Sequence, residues 1–186
     1  MNDLYPQKEK LSNMVHLINV FLILAQVIFS FMVWDALPEA IPVHYGAGGL
    51  PNRWVIKNLF DWYLLPMVGI FMTSVLYLSY IAVIKPENWN IVKKEDYLKL
   101  PEEKRQRFVK EFKEIIGGMG SKMAVLINAF LLYAQISNYM VATRIWKKIN
   151  IYPSFILIAV IIIMTVVFII NIRKWSKELI PGNIQK

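Results

Sequence analysis

Leu37-Pro-Glu-Ala-Ile-Pro-Val-His-Tyr-Gly-Ala-Gly-Gly-Leu-Pro-Asn-Arg-Trp-Val-Ile-Lys57 lies between two long runs without a charged residue, and it holds what those runs lack. Three of the nine prolines, three of the eight glycines and one of the two histidines fall within it. Proline fixes φ and glycine permits positive φ, so the stretch reads as a shaped loop rather than a slack connector. It is the first place to look for a recognition site.

The flanking runs decide the fold. Residues 14–34, 62–84, 123–143 and 151–172 contain no Lys, Arg, Asp or Glu, and each is 21 to 23 residues long. About 20 helical residues cross a hydrocarbon core of roughly 30 Å. The chain is 56% hydrophobic and 18% charged, with a mean hydropathy of +0.43. Soluble domains carry about a quarter of their residues as charges, so composition agrees. The sequence predicts an all-α integral membrane bundle of four transmembrane helices, a single domain over 1–186. The helices are expected at about 14–35, 62–84, 121–144 and 151–173, and the motif loop at 37–60. The first run is too long for a signal peptide, and no small-x-small cleavage site follows it, so it is read as a retained helix.

The formal charge of +8 is a topology signal before it is anything else. If the helices alternate, 16 of the 21 Lys and Arg fall on one side and five on the other. The positive-inside rule then puts both termini in the cytoplasm of a multi-pass cell-membrane protein and the motif loop outside. Nothing in this distribution calls for nucleic acid. The absence of cysteine excludes disulfides, thiolate metal sites and a cysteine nucleophile.

The connection between helices two and three is the one sizeable polar piece. Within it, 101–116 reads as a cytoplasmic amphipathic helix: Pro101 suits a first position, Glu102 and Glu103 suit the positive end of the dipole, and Phe108, Phe112 and Ile115 or Ile116 share a face. Gly117-Gly118-Met119-Gly120 is expected to end it, and its apolar face to lie in the headgroup layer. Arg173-Lys174-Trp175 reads as an interfacial anchor.

Polar side chains in the apolar runs are few and regularly placed. Asn19, Gln26 and Ser30 share a face of helix one, and Asn128, Gln135 and Asn138 share one of helix three. Amides facing lipid are costly, so these stripes are expected to meet as a hydrogen-bonded seam. Packing and a polar path for a substrate are both open; packing is favoured because no intramembrane carboxylate or lysine accompanies the amides.

The motif stretch also carries a resemblance. Trp34, Leu37, Pro38, Ile41, Pro42, His44, Tyr45, Gly49, Pro51, Asn52, Trp54 and Lys57 resemble the pattern of a bacterial membrane family, the domain of unknown function 1648, which also occurs in SdpI-type immunity proteins. Gly46 departs from the Asn or Asp common there. The resemblance implies a membrane protein, and through its immunity-type relatives a protein that protects its own cell from a membrane-active peptide toxin.

Pro38, Pro42, His44, Tyr45, Gly49, Asn52, Arg53, Trp54 and Lys57 are therefore the candidate ligand-binding or loop-shaping residues. His44 is either a proton-linked contact or a brace on loop carbonyls. Arg53 and Lys57 either flank an anionic group or snorkel. Trp54, Trp62 and Tyr63 either line a groove or form an interfacial belt. No arrangement of nucleophile and base stands out, and with two histidines far apart in the chain no metal or other cofactor is expected. The favoured function is non-enzymatic: an outward loop that recognises a hydrophobic or amphipathic ligand, for toxin immunity or envelope sensing. A membrane-lipid enzyme or carrier and a small subunit of a larger membrane complex are the alternatives. Candidate partners besides the bilayer are a peptide toxin, a lipid or another membrane protein, in an oligomeric state left open.

Overall fold

A computed structural model describes residues 4–82 and 94–179. Its elements are α1 (Leu4–Met32), β1 (Ala40–Tyr45), β2 (Pro51–Ile56), α2 (Leu59–Ala82), α3 (Lys94–Leu98), α4 (Glu102–Ala142) and α5 (Tyr152–Leu179). Four helices are long and apolar enough to span a membrane: α1, α2, α4 and α5. The protein is an all-α multi-pass membrane bundle with one small hairpin. In hydrocarbon a helix satisfies its backbone within itself, which is why the four charge-free runs all take this form.

α4 is the hub, with α1, α2 and α5 all packed on it. α1 turns Asn19 towards it and α2 turns Thr73, while Phe21, Phe31, Phe71 and Leu78 are left exposed, as a lipid-facing surface should be. α2 begins at Leu59, three residues before the charge-free run, because Asn58 caps it. Asn58 Oδ1 accepts the Asp61 N–H at 2.9 Å, and Asp61 supplies an acidic first turn. Its expected end at residue 84 lies outside the described residues.

Two sequence expectations are corrected. Gly117–Gly120 do not end a helix; α4 runs through them for 41 residues. At 1.5 Å per residue that is about 60 Å, roughly twice the hydrocarbon thickness. Glycine lowers helix propensity by about 1 kcal/mol but removes no donor, so a helix packed on both sides of it continues. The headgroup placement of the 101–116 face is the second correction. Phe108 and Phe112 are buried against protein, with Trp175 of α5 at ring-centroid distances of 4.7 and 5.8 Å and Tyr97 of α3 at 5.7 Å from Phe108. Trp175 Nε1 also donates to Glu111 Oε2 at 2.7 Å, so this half-buried residue packs on α4 and is not a free anchor. The ends of α4 and α5 thus form an aromatic-packed stalk.

The motif segment is a third difference. It is a β-hairpin, not a loop, with Ala40, Ile41 and Pro42 opposite Ile56, Val55 and Trp54, and irregular register beyond Pro42. The turn closes through Gly46 N–H to Leu50 O (2.9 Å) and Gly49 N–H to Gly46 O (2.8 Å).

Candidate functional site

The hairpin caps one end of the bundle. Ile41 is fully buried and joins Leu37, Trp62 and Ala142 in a cluster flanked by Val33, Trp34, Val55, Tyr63 and Tyr139. This cluster joins the end of α1, the hairpin, the start of α2 and the end of α4. Burying such side chains supplies the non-directional part of the attachment.

Directed bonds supply the rest. α1 ends in turns that leave carbonyls without helical partners. Trp62 Nε1 donates to Ser30 O at 3.0 Å, and Lys57 Nζ donates to Trp34 O at 3.3 Å and Leu37 O at 3.2 Å. The Lys57 ammonium also sits 5.0 Å from the centroid of the Trp34 ring. A cation at the negative end of a helix dipole, over an aromatic face, is favourable on three counts. Lys57 is therefore engaged in holding α1 to β2.

At the far end of the hairpin, Tyr45 Oη donates to Asn138 Oδ1 of α4 at 2.6 Å, and burial pushes the Tyr45 phenol well above its ordinary pKa. Gly49, at φ +78°, accepts the Ile149 N–H from the connection between α4 and α5 at 2.9 Å. A Cβ there would collide with Ile149 O, so only glycine fits. His44 Nδ1 bonds Asn52 Oδ1 at 2.5 Å across the strands, a side-chain brace rather than a bond to loop carbonyls. Pro38 is exposed before β1, and Pro42 is buried within it.

Besides Leu50 of the turn, which is 58% exposed, three side chains of β2 are left over. Arg53 is exposed and has no partner among the described residues. Trp54 is 43% exposed and Ile56 82%. The hairpin is thus asymmetric: β1 is packed and tied, while β2 presents a cation and two apolar groups.

Below the hairpin runs the amide column. Asn128 Nδ2 lies 2.8 Å from both Asn19 Oδ1 and Thr73 Oγ1, joining α4 to α1 and α2. Ser30 Oγ donates back to Gln26 O at 2.8 Å. Gln26, Asn128 and Gln135 are all buried, and the Gln26 amide, Asn128 Oδ1 and Gln135 Oε1 have no hydrogen-bond partner among the described residues. Gly69 of α2 makes room for the group: a Cβ there would lie 2.5 Å from Asn128 Oδ1 and 3.3 Å from Gln26 Oε1. Asn138 stands at the hairpin end of the same column, with Tyr45.

Gln135 has a task that sequence spacing did not show. Its Nε2 donates to Trp62 O at 3.1 Å. In a regular helix that carbonyl would receive the N–H of residue 66, which is Pro66 and has none. The side chain of α4 thus fills a gap that proline opens in α2. Gly69, Thr73 and Ile149 were missed as site-forming residues and Trp62 was read only as a groove or belt residue, although a proline four residues after it was a readable sign of an orphan carbonyl.

At the opposite end no comparable site appears among the described residues. Ser121 Oγ and His16 Nε2 approach to 3.5 Å, but Ser121 Oγ donates to Gly117 O at 2.8 Å, which points its proton at the helix backbone. Among the described residues no three His, Asp or Glu side chains gather as a metal would require.

Residues 21–70 match the sequence profile of a domain of unknown function, DUF1648. The match takes in the second part of α1, the hairpin and the first part of α2. No curated protein and no solved structure matches the chain.

Proposed function

We propose that this chain is a non-enzymatic protein of the cell membrane whose hairpin faces outward and recognises a hydrophobic or amphipathic ligand, serving toxin immunity or envelope sensing. The observation that carries the reading is the asymmetry of the hairpin. Lys57, Tyr45 and Gly49 immobilise it from behind, and Arg53, Trp54 and Ile56 are left exposed on a rigid support. Rigid presentation lowers the entropic cost of binding. The 16-to-five division of basic residues supports cytoplasmic termini and an outward hairpin. The motif's resemblance to SdpI-type proteins makes immunity to a membrane-active peptide the most specific form of the proposal.

The alternatives lose their anchors. A lipid enzyme or carrier was to hold its anionic headgroup with Arg53 and Lys57, and Lys57 is engaged elsewhere. A subunit docking through its amide stripes needs those amides on the surface, and Asn19, Gln26, Asn128 and Gln135 are buried.

The test challenges cells with a panel of membrane-active amphipathic peptides, with and without the protein, and measures binding of the same peptides to nanodisc-held protein. Binding to the parent chain, and loss of binding in Arg53→Glu and Trp54→Ala at equal membrane levels, is the expected result. Binding that both variants leave unchanged would remove the hairpin as the site. A crude lipid extract that changes with expression would instead favour lipid chemistry.

A further inference from the structure

We infer that β2 takes its ligand as an added strand: the free edge of the hairpin is a docking site for an extended peptide segment. This rests on the proposal that the hairpin recognises a ligand, and it specifies the ligand's backbone and the atoms that hold it.

The ladder shows which groups are free. Lys57 N–H bonds Glu39 O at 2.7 Å, so Glu39 and Lys57 are a hydrogen-bonded pair. Antiparallel pairs alternate, so Ala40–Ile56 is not hydrogen-bonded, Ile41–Val55 is, and Pro42–Trp54 is not. Pro42, which has no N–H to give, occupies one of the positions where none is needed. On β2, Trp54 and Ile56 therefore point their N–H and C=O groups away from β1. Asn58 Nδ2 already takes Ile56 O at 3.0 Å. The edge that remains offers the Trp54 N–H, the Trp54 C=O and the Ile56 N–H.

The two edges of the hairpin are treated differently. β1 is guarded by Pro42, by its irregular register and by packing on α4. β2 has its one proline at the first position, Pro51, where it protects nothing further along. Alternating donor and acceptor groups in a row are complementary to one thing, an extended main chain. The side chains add selectivity. Trp54 and Ile56 share one face and would pair with apolar residues at alternate positions of the incoming segment. Arg53, on the opposite face and without a partner among the described residues, favours a carboxylate there. A second copy of the chain is the poorer occupant. Three backbone groups on a six-residue strand bury far less than the roughly 800 Å² per partner of a stable dimer.

The experiment uses the full chain in nanodiscs and a phage-displayed library of random linear peptides. Amide exchange comes first: Val55 and Lys57 should be protected, and Trp54 and Ile56 should exchange freely. Protection of the latter pair without peptide would mean that the edge is already covered, and would overturn the proposal. Selected peptides are then measured against Trp54→Val and Trp54→Pro. Both variants lack the indole, and only the second lacks the outward N–H while keeping the ladder. Trp54→Pro should bind about fivefold or more weaker than Trp54→Val, and N-methylation of alternate peptide amides should abolish binding. Equal binding by the two variants, with loss in Arg53→Glu, would refute strand addition and leave hairpin recognition standing. Peptides indifferent to all three variants, or no selectable peptide, would refute both.

Discussion

Removal of Gln135 tests the account of the proline gap most directly. Gln135→Leu keeps much of the volume and removes the donor to Trp62 O, in a bundle interior where Trp62 and Gln135 are almost fully buried. A buried carbonyl left unpartnered costs about 1–3 kcal/mol. The substitution also removes Gln135 Oε1, itself without a partner among the described residues, so the single variant understates the bond. A double-mutant cycle with Pro66→Ala cancels that offset. The Pro66→Ala change restores an N–H directed at Trp62 O, after which Gln135 has no gap to fill. The cost of Gln135→Leu should then fall by about 1–2 kcal/mol, with whatever packing loss remains common to both backgrounds. Reversible unfolding in mixed micelles, followed by far-ultraviolet circular dichroism, reads the four corners of the cycle. A coupling energy within about 0.3 kcal/mol of zero would mean that the bond between Gln135 and α2 does not compensate for Pro66, and the account would fail.

Other substitutions probe the remaining joints. Gly49→Ala combines a positive φ with a collision at Ile149 O and should destabilise by about 2–4 kcal/mol and deprotect the Ile149 amide in exchange measurements, while Gly48→Ala, whose Cβ meets nothing within 4 Å, should be neutral. Gly69→Ala should cost about 1–3 kcal/mol by displacing Asn128 from Asn19 and Thr73. Gly118→Ala, with open space around it, should stabilise the helix by about 0.5–1 kcal/mol, and thermal unfolding in detergent ranks the two. The raised Tyr45 pKa means that the folded state keeps its phenol proton to higher pH than the unfolded chain. That contribution is complete below about pH 10, where a free tyrosine titrates, and is lost as pH rises above it. Tyr45→Phe should lower stability at neutral pH by about 1 kcal/mol through the lost bond to Asn138 and flatten the alkaline fall.

Much of the fold was legible because lipid imposes a blunt rule: a charge-free run of some 20 residues has one comfortable form. The hairpin was not, although Val43-His44-Tyr45 and Trp54-Val55-Ile56 are β-branched and aromatic runs around a glycine turn. Its prolines argued for a loop, and only the ladder reveals that Pro42 stands where no donor is required. The glycines at 117–120 misled for a related reason, since propensity is local and the packing that carries α4 past them is not. Trp175 read as an anchor because its partners, Phe108 and Phe112, are more than 60 positions away. The amide spacing identified faces on α1 and α4, but nothing in it could say that Gly69 and Thr73 of α2 come alongside Asn128. That depends on how far the hairpin carries the chain before α2 begins.

The motif residues divide by where their partners lie, and the division narrows the search for function. Trp34, Leu37, Ile41, Lys57 and Trp62 close the α1 end on α2 within the segment that matches the domain profile. Tyr45 and Gly49 reach outside it, to Asn138 and Ile149, and Trp62 O does the same through Gln135. Each of these has a structural task that accounts for its residue type without a ligand. His44 and Asn52 brace each other. Subtracting them all leaves, with Leu50 of the turn, Arg53 on one face of β2 and Trp54 and Ile56 on the other, all exposed among the described residues. These side chains make no contact that the bundle behind them needs, so a loss of ligand binding without a loss of stability is the signature to expect from them. Substitutions at Lys57 or Tyr45 should do the reverse and weaken binding only in step with the hairpin's attachment. Variants at Arg53 or Trp54 that unfolded the protein while leaving peptide binding of the folded fraction intact would reverse this assignment.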